Sequence, residues 1–215
     1  QDSTTMMVYS MSKTITAAAT LQLVQKGLLR LDDCATKYLP DIPYGKEVTI
    51  RHLLSQTSGI PDPIPLKWVH LVEEHSNFDE SSALHAVLKK NAKLKFVPGT
   101  RYAYSNISYW LLGQIISLAT KSTYEDYVRQ HVFDALGLCR QEVDFVIPAR
   151  EAHAKGYVPK WSALNLLKFF ILDSKYVGQY ENQWLHIKDH YLNGPAFGGI
   201  VASARAIFAR PFHAP

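Results

Sequence analysis

From Ile15 to Val24 the chain carries Ile15, Ala17, Ala18, Ala19, Leu21, Leu23 and Val24, which point in nearly every direction around a helix. A helix with one apolar stripe can lie on a surface, but one that is apolar all round has to be covered on most sides. The run Ile15 to Leu29 is therefore expected to form the central helix, with Gly27 as its left-handed stop. Just ahead of it stands Val8-Tyr9-Ser10-Met11-Ser12-Lys13-Thr14. Ser10 and Lys13, three residues apart at a helix start, lie on one face about a turn apart, so the ammonium can reach the hydroxyl. The first-turn N–H groups and the helix dipole favour negative charge on the serine oxygen and on a carbonyl it has attacked. A Ser-x-x-Lys arises about once by chance in a chain of this size, so its setting must decide its meaning.

The chain has 215 residues, 47% of them apolar, which is enough for a sizeable core and fits a single domain over residues 1–215. Its net charge of +4 is scattered, with no basic run dense enough to follow a phosphate backbone, so nucleic acid is not an expected partner. Cys34 and Cys139 are far apart and read as buried thiols, with neither a disulfide framework nor a zinc site indicated. The apolar stretch Trp161 to Leu172 is too short for a bilayer and is interrupted by Ser162, Asn165 and Lys168, so a packed helix is expected rather than a membrane span. The first ten residues show no signal-peptide pattern, and the compartment stays open. His186 and His190 stand at i and i+4, but lack a Glu-x-x between them and a third ligand; they read as surface residues, and neither metal nor cofactor is expected.

Along the chain, Thr49 can cap a helix Ile50 to Gln56, followed by the turn-rich Thr57-Ser58-Gly59-Ile60-Pro61-Asp62-Pro63. Helices are expected over Phe78 to Lys95, from Asn106 to Thr120, after a capping box formed by Ser122 and Glu125, and over Trp161 to Asp173. Lys175 to Gly194 has no clear period. Gly194 to Gly199 reads as a tight turn, and Ser203 as the cap of a last helix, Ala204 to Ala209. Strand patterns are few: Lys95 to Val97, Tyr102 to Tyr104 and Val143 to Ile147.

A Ser-Lys pair needs a further group to pass protons to a leaving group and a donor to hold substrate. Tyr104-Ser105-Asn106 offers both. An ammonium about 4 Å from a phenol contributes roughly 4 kcal/mol at an effective dielectric near 20, about three pKa units, which points to a phenolate near neutrality unless burial opposes it. Asn106 would offer its N–H to a substrate carbonyl and its oxygen to Lys13. Tyr-x-Asn also occurs at Tyr180 to Asn182 and at Tyr191 to Asn193. Only the first copy sits in Phe96-Val97-Pro98-Gly99-Thr100-Arg101-Tyr102-Ala103-Tyr104-Ser105-Asn106, ahead of a helix.

Together with Tyr9-Ser10-Met11-Ser12-Lys13-Thr14, His52-Leu53-Leu54-Ser55-Gln56-Thr57-Ser58-Gly59, Tyr109-x-Leu111-Leu112-Gly113 and Gly194-Pro195-Ala196-x-Gly198-Gly199, this arrangement resembles the serine β-lactamase and penicillin-binding protein superfamily. The tyrosine in the second motif resembles the branch of class C β-lactamases, D,D-peptidases and family VIII esterases. The resemblance implies an α/β (α+β) β-lactamase/transpeptidase-like fold, mostly helical in this chain, with much of the antiparallel sheet missing. It implies Ser10 as the acylated nucleophile, Lys13 and Tyr104 sharing the base work, and Asn106 positioning substrate. Taken singly, Ser10 and Asn106 also read as helix caps, Lys13 as a solvated first-turn charge and Tyr104 as a core aromatic.

The family's third motif, Lys-Thr-Gly or His-x-Gly, does not occur, and the chain looks like the inner part of a larger fold. The leading expectation is a serine hydrolase of small carboxylic esters, which ask less of an incomplete oxyanion site than amides or β-lactams do. The alternatives are β-lactamase or D,D-peptidase activity and, in a different class, a non-catalytic remnant or binding module. With little sheet to pack on, the central helix is expected either to be covered by a second copy over Ile15 to Leu28 or to be covered by the late segment Lys175 to Ile200.

Overall fold

The computed structural model describes residues 2–63, 65–171 and 173–208. In chain order the elements are β1 (Thr5–Met7), α1 (Ser12–Gln25), α2 (Ile50–Leu54), β2 (Val69–Leu71), α3 (Glu80–Lys90), α4 (Asn106–Thr120) and α5 (Tyr124–Val128). There follow β3 (Val143–Asp144), β4 (Gly156–Pro159), α6 (Ala163–Ile171), β5 (Val177–Glu181), β6 (Trp184–Ile187), β7 (His190–Leu192), α7 (Pro195–Gly198), β8 (Val201–Ser203) and α8 (Ala204–Ile207). The strands form three small antiparallel sheets, ordered β1-β8-β3, β2-β7 and β4-β6-β5.

The sheet β1-β8-β3 fixes where α1 begins. Thr5 faces Ser203 and Met7 faces Val201 in the ladder, and Val8 N–H donates to the Ile200 carbonyl at 2.9 Å, so the chain enters α1 from a pinned strand. The most enclosed helix is α4, not α1. Ile107, Trp110, Leu111, Leu112, Ile115 and Ile116 are fully buried, and Trp110 packs with Trp68 and Phe197 at ring separations of 5.7 and 5.3 Å. Gly113 brings α4 against α7, since a side chain there would meet Ala196.

α1 buries the side that the sequence makes polar: Ser12, Lys13, Thr16 and Thr20, with Ala19 and Leu23. The hydroxyls are drawn inward because α7 is too short to satisfy its own backbone. Thr16 Oγ1 donates to the Ala196 carbonyl at 2.6 Å, and Ser12 Oγ accepts the Ile200 N–H at 3.1 Å. The end of the late segment thus covers one face of α1. Leu21 and Leu28 remain about half exposed, at 50% and 51%, so cover on most sides is not what these residues have.

Several boundaries differ from the sequence pattern for local reasons. Thr123, not Ser122, caps α5, by accepting the Asp126 N–H at 3.1 Å. The helix expected over Phe78 to Lys95 is shorter, because Asp79 caps it at Glu80 and it ends at Lys90. The segments 95–97 and 102–104 are irregular, whereas Val143–Asp144 is a strand. The unassigned stretch after Lys175 forms β5, β6 and β7. Cys139 is exposed and Cys34 partly so, which corrects their reading as buried thiols. Ser203 caps α8 as expected; Ala209, placed in that helix by the pattern, lies outside the described residues.

Candidate active site

The segment before α1 turns sharply. Tyr9 takes a left-handed φ of +46°, a conformation that a bulky residue seldom adopts and that costs energy wherever it persists. The turn presents Ser10 at the mouth of a cavity while Lys13, one turn on, is buried. Tyr104 and Asn106 arrive from a loop held by Gln56. The Gln56 backbone carbonyl accepts the Ala103 N–H at 2.9 Å, and its Oε1 accepts the Ser105 N–H at 2.8 Å. Ser105 then caps α4, which fixes Asn106 in its first turn.

The structure brings the four expected residues together. Ser10 Oγ lies 2.7 Å from the Tyr104 hydroxyl. Lys13 Nζ donates to Ser10 Oγ at 3.2 Å, to Asn106 Oδ1 at 2.8 Å and to the Phe197 carbonyl at 2.6 Å. The Tyr104 hydroxyl also reaches Asn106 Oδ1 at 3.2 Å. Three acceptors suit an ammonium, which has three N–H donors and no lone pair. A neutral amine keeps two donors for the shorter contacts to Asn106 and Phe197, and its lone pair then faces the longest contact, the serine hydroxyl. Tyr180 and Tyr191 stand elsewhere: Tyr180 bonds to Asn165 and Lys168, and the Tyr191 hydroxyl accepts the Ile147 N–H at 2.8 Å.

Electrostatics separate the two candidate bases. Burial lowers Lys13 to about 8, partly countered by the charge of Asp62. Tyr104 moves the other way: burial raises it, and its hydrogen bond with Ser10 offsets only part of that. The expected phenolate is therefore corrected to a phenol. The ammonium sits over the Tyr104 ring, 4.9 Å from its centroid, and spends its N–H groups on other oxygens rather than on the phenolic one. At neutral pH this site can abstract a proton through Lys13 and deliver one through Tyr104.

Beside Ser10 and Asn106 lies a cavity of about 260 Å³ walled by Pro65, Leu66, Val69, Leu192 and Phe197, with His190 among its remaining lining residues and no Lys or Arg among those described. The Phe197 carbonyl is occupied by Lys13, whose Nζ donates to it at 2.6 Å. His186 and His190 lie on different strands, β6 and β7, and His190 Nδ1 is 3.0 Å from the Lys188 carbonyl oxygen.

Sequence reasoning missed Gln56, the Phe197 carbonyl and Asp62. Asp62, read only as a turn former, accepts the Asn106 backbone N–H at 2.8 Å. Its partner lies 44 residues away, and a carboxylate in a turn carries no local sign of it.

A family model described as Beta-lactamase matches residues 1–208. Penicillin-binding protein 4* of Bacillus subtilis (strain 168) is 33% identical over 152 residues, covering 69% of this chain and 33% of that protein. The octameric penicillin-binding protein homologue from Pyrococcus abyssi superposes with a TM-score of 0.70 at 25% identity, over 96% of this chain and 44% of its own. The D-amino acid amidase from Ochrobactrum anthropi SV3, complexed with L-phenylalanine, reaches a TM-score of 0.75 at 22% identity, over 97% and 56%. The chain thus spans about a third to just over half of these proteins.

Proposed function

The chain belongs to the β-lactamase family, and on that premise we propose that it is a serine hydrolase that forms an acyl-enzyme on Ser10 and turns over small carboxylic esters. The observation that carries this reading is the single hydrogen-bonded set of Ser10, Lys13, Tyr104 and Asn106. Neutral Lys13 takes the Ser10 proton as Oγ attacks the ester carbonyl. The tetrahedral adduct collapses to the acyl-enzyme as Tyr104 gives its proton to the departing alkoxide. Water then attacks the acyl carbon, losing a proton to the Tyr104 phenolate, and the acid leaves as the Ser10 oxygen takes back the proton held on Lys13. The apolar cavity, with no Lys or Arg among its described lining residues, supports a neutral acyl group. Hydrolysis of p-nitrophenyl acetate and butyrate by the wild type and by Ser10→Ala tests it. Turnover by the wild type alone is expected; equal rates, or none in either, would exclude esterase action.

Association is part of the same reading. Met11, Leu21 and Leu28, each about half exposed, leave one side of α1 bare, and a groove of about 210 Å³ between Met11, Ile15, Leu136 and Ala202 continues it. A second copy covering this face would remove that surface from water. The octameric assembly of the Pyrococcus abyssi homologue supports the idea by likeness. Light scattering over a dilution series is expected to show a concentration-dependent mass, reduced by Leu21→Lys. A monomer at every concentration would exclude it.

A further inference from the structure

Asp62 sits outside the four-residue set but touches one member of it twice. Its Oδ1 accepts the backbone N–H of Asn106 at 2.8 Å, and its Oδ2 lies 3.4 Å from the amide nitrogen of the same residue. On its other side the Asn106 amide meets two donors, Lys13 Nζ at 2.8 Å and the Tyr104 hydroxyl at 3.2 Å. An asparagine amide can sit in either of two flips, exchanging a donor for an acceptor at nearly the same positions. A carboxylate accepts only, so the amide nitrogen must face Asp62 and the oxygen must face Lys13.

We propose that Asp62 is a positioning residue of this site: it locks the flip and place of the Asn106 amide, and through it the aim of Lys13 at Ser10. This rests on the hydrolase reading above. With the amide reversed, an N–H would meet the lysine head, and the two shorter hydrogen bonds that leave the lone pair facing Ser10 would become one. Asp62 also acts on Lys13 directly. Around Nζ, besides its hydrogen-bond partners, stand Asp62, whose charge supports the ammonium, and the rings of Tyr104, Phe197 and Tyr109 at 4.9, 5.7 and 5.8 Å. Burial is what disfavours the charge, and Asp62 holds the balance near neutrality. A purely structural role, as the acceptor for the first N–H of α4, predicts lost stability and nothing more.

The test uses Asp62→Asn, which keeps an acceptor for that N–H but no longer dictates the flip, alongside Asp62→Glu and Asn106→Ala. The rate of Ser10 labelling by a fluorophosphonate is followed from about pH 6 to 10, so as to bracket the lysine. Asp62→Asn is expected to lower the high-pH plateau at least about tenfold, as misplacement of a reacting group does. Its midpoint is expected at lower pH than in the wild type, with Asp62→Glu recovering part of the plateau. Added to Asn106→Ala it is expected to cost little more, because the two act in series. A wild-type plateau and midpoint in Asp62→Asn, or losses that simply add, would overturn the proposal. The Lys13 side-chain carbon resonance, titrated by NMR, reads the same midpoint without any reaction. A wild type that titrates and shifts in Asp62→Asn but never labels would sink the hydrolase reading and leave the electrostatic role of Asp62 standing; an unshifted midpoint would sink that role.

Discussion

Lys13 is buried and lowered to about 8, close enough to neutral pH for the free amine to be reached, a combination that few lysines show. Because the base must be the free amine, the rate of Ser10 acylation is expected to rise with pH and level off above about 8. Lys13→Arg keeps the charge, cannot release it and should abolish the reaction, as should Ser10→Ala. Tyr104→Phe is expected to lose at least about a hundredfold, while Tyr180→Phe and Tyr191→Phe change little. An equal loss in Tyr191→Phe with an intact fold would mean that the wrong tyrosine has been chosen. That these residues would stand together was legible because the two motifs occur jointly and the three Tyr-x-Asn copies differ in setting. The protonation of Tyr104 was not. It depends on which oxygens the lysine reaches and on how deeply the ring is buried, and both are set by the fold. Asp62 was hidden for a similar reason, since a carboxylate in a turn is common and only three-dimensional proximity gives it Asn106.

At the scale of elements, the seam between α3 and α4 carries a buried carboxylate. Glu80 Oε1 accepts from Trp110 Nε1 at 2.6 Å and from Gln114 Nε2 at 2.9 Å, tying the start of α3 to the middle of α4. Burial lifts Glu80 from 4.5 to about 7, the Trp110 bond opposing and the charge of Glu125 adding. A folded value above the unfolded one means that the native state holds the proton more tightly. That stability is fully present below about 4.5 and is lost as pH rises through about 7, a change on the order of 3 kcal/mol. Glu80→Gln keeps the acceptor and removes the titration, so its melting temperature should exceed the wild type's by roughly 5 to 10 °C above pH 7. Calorimetry at several pH values checks this; parallel curves for the two proteins would contradict it. The helices were readable from period and caps, as with Thr49 before α2 and Ser203 before α8, although Ser105 rather than Asn106 caps α4. The strands after Lys175 were not: His190 to Leu192 pairs with the distant Val69 to Leu71, and the hairpin of Val177 to Glu181 with Trp184 to Ile187 is largely exposed and carries a register shift, so no alternation of apolar and polar residues marks it.

Across the molecule, the apolar run that marks the first helix led to the right neighbourhood and the wrong face. Its threonines and Ser12 turn inward to the carbonyls and N–H groups around α7, while Leu21 and Leu28 stay half exposed. Hydrogen bonding by a short helix outweighed the hydrophobic pattern, since a buried carbonyl left without a donor costs about 1 to 3 kcal/mol. The same packing gathers residues 10, 13, 104, 106 and 197 from three separate stretches of chain into one site, the fact on which the proposed chemistry depends. The most direct measurement of that chemistry is intact and peptide mass spectrometry after incubation with a fluorophosphonate. The account predicts one adduct per chain, on the peptide containing Ser10, absent in Ser10→Ala and slowed in Tyr104→Phe. An adduct on another residue, or none on Ser10 at a pH above that of the lysine, would contradict it.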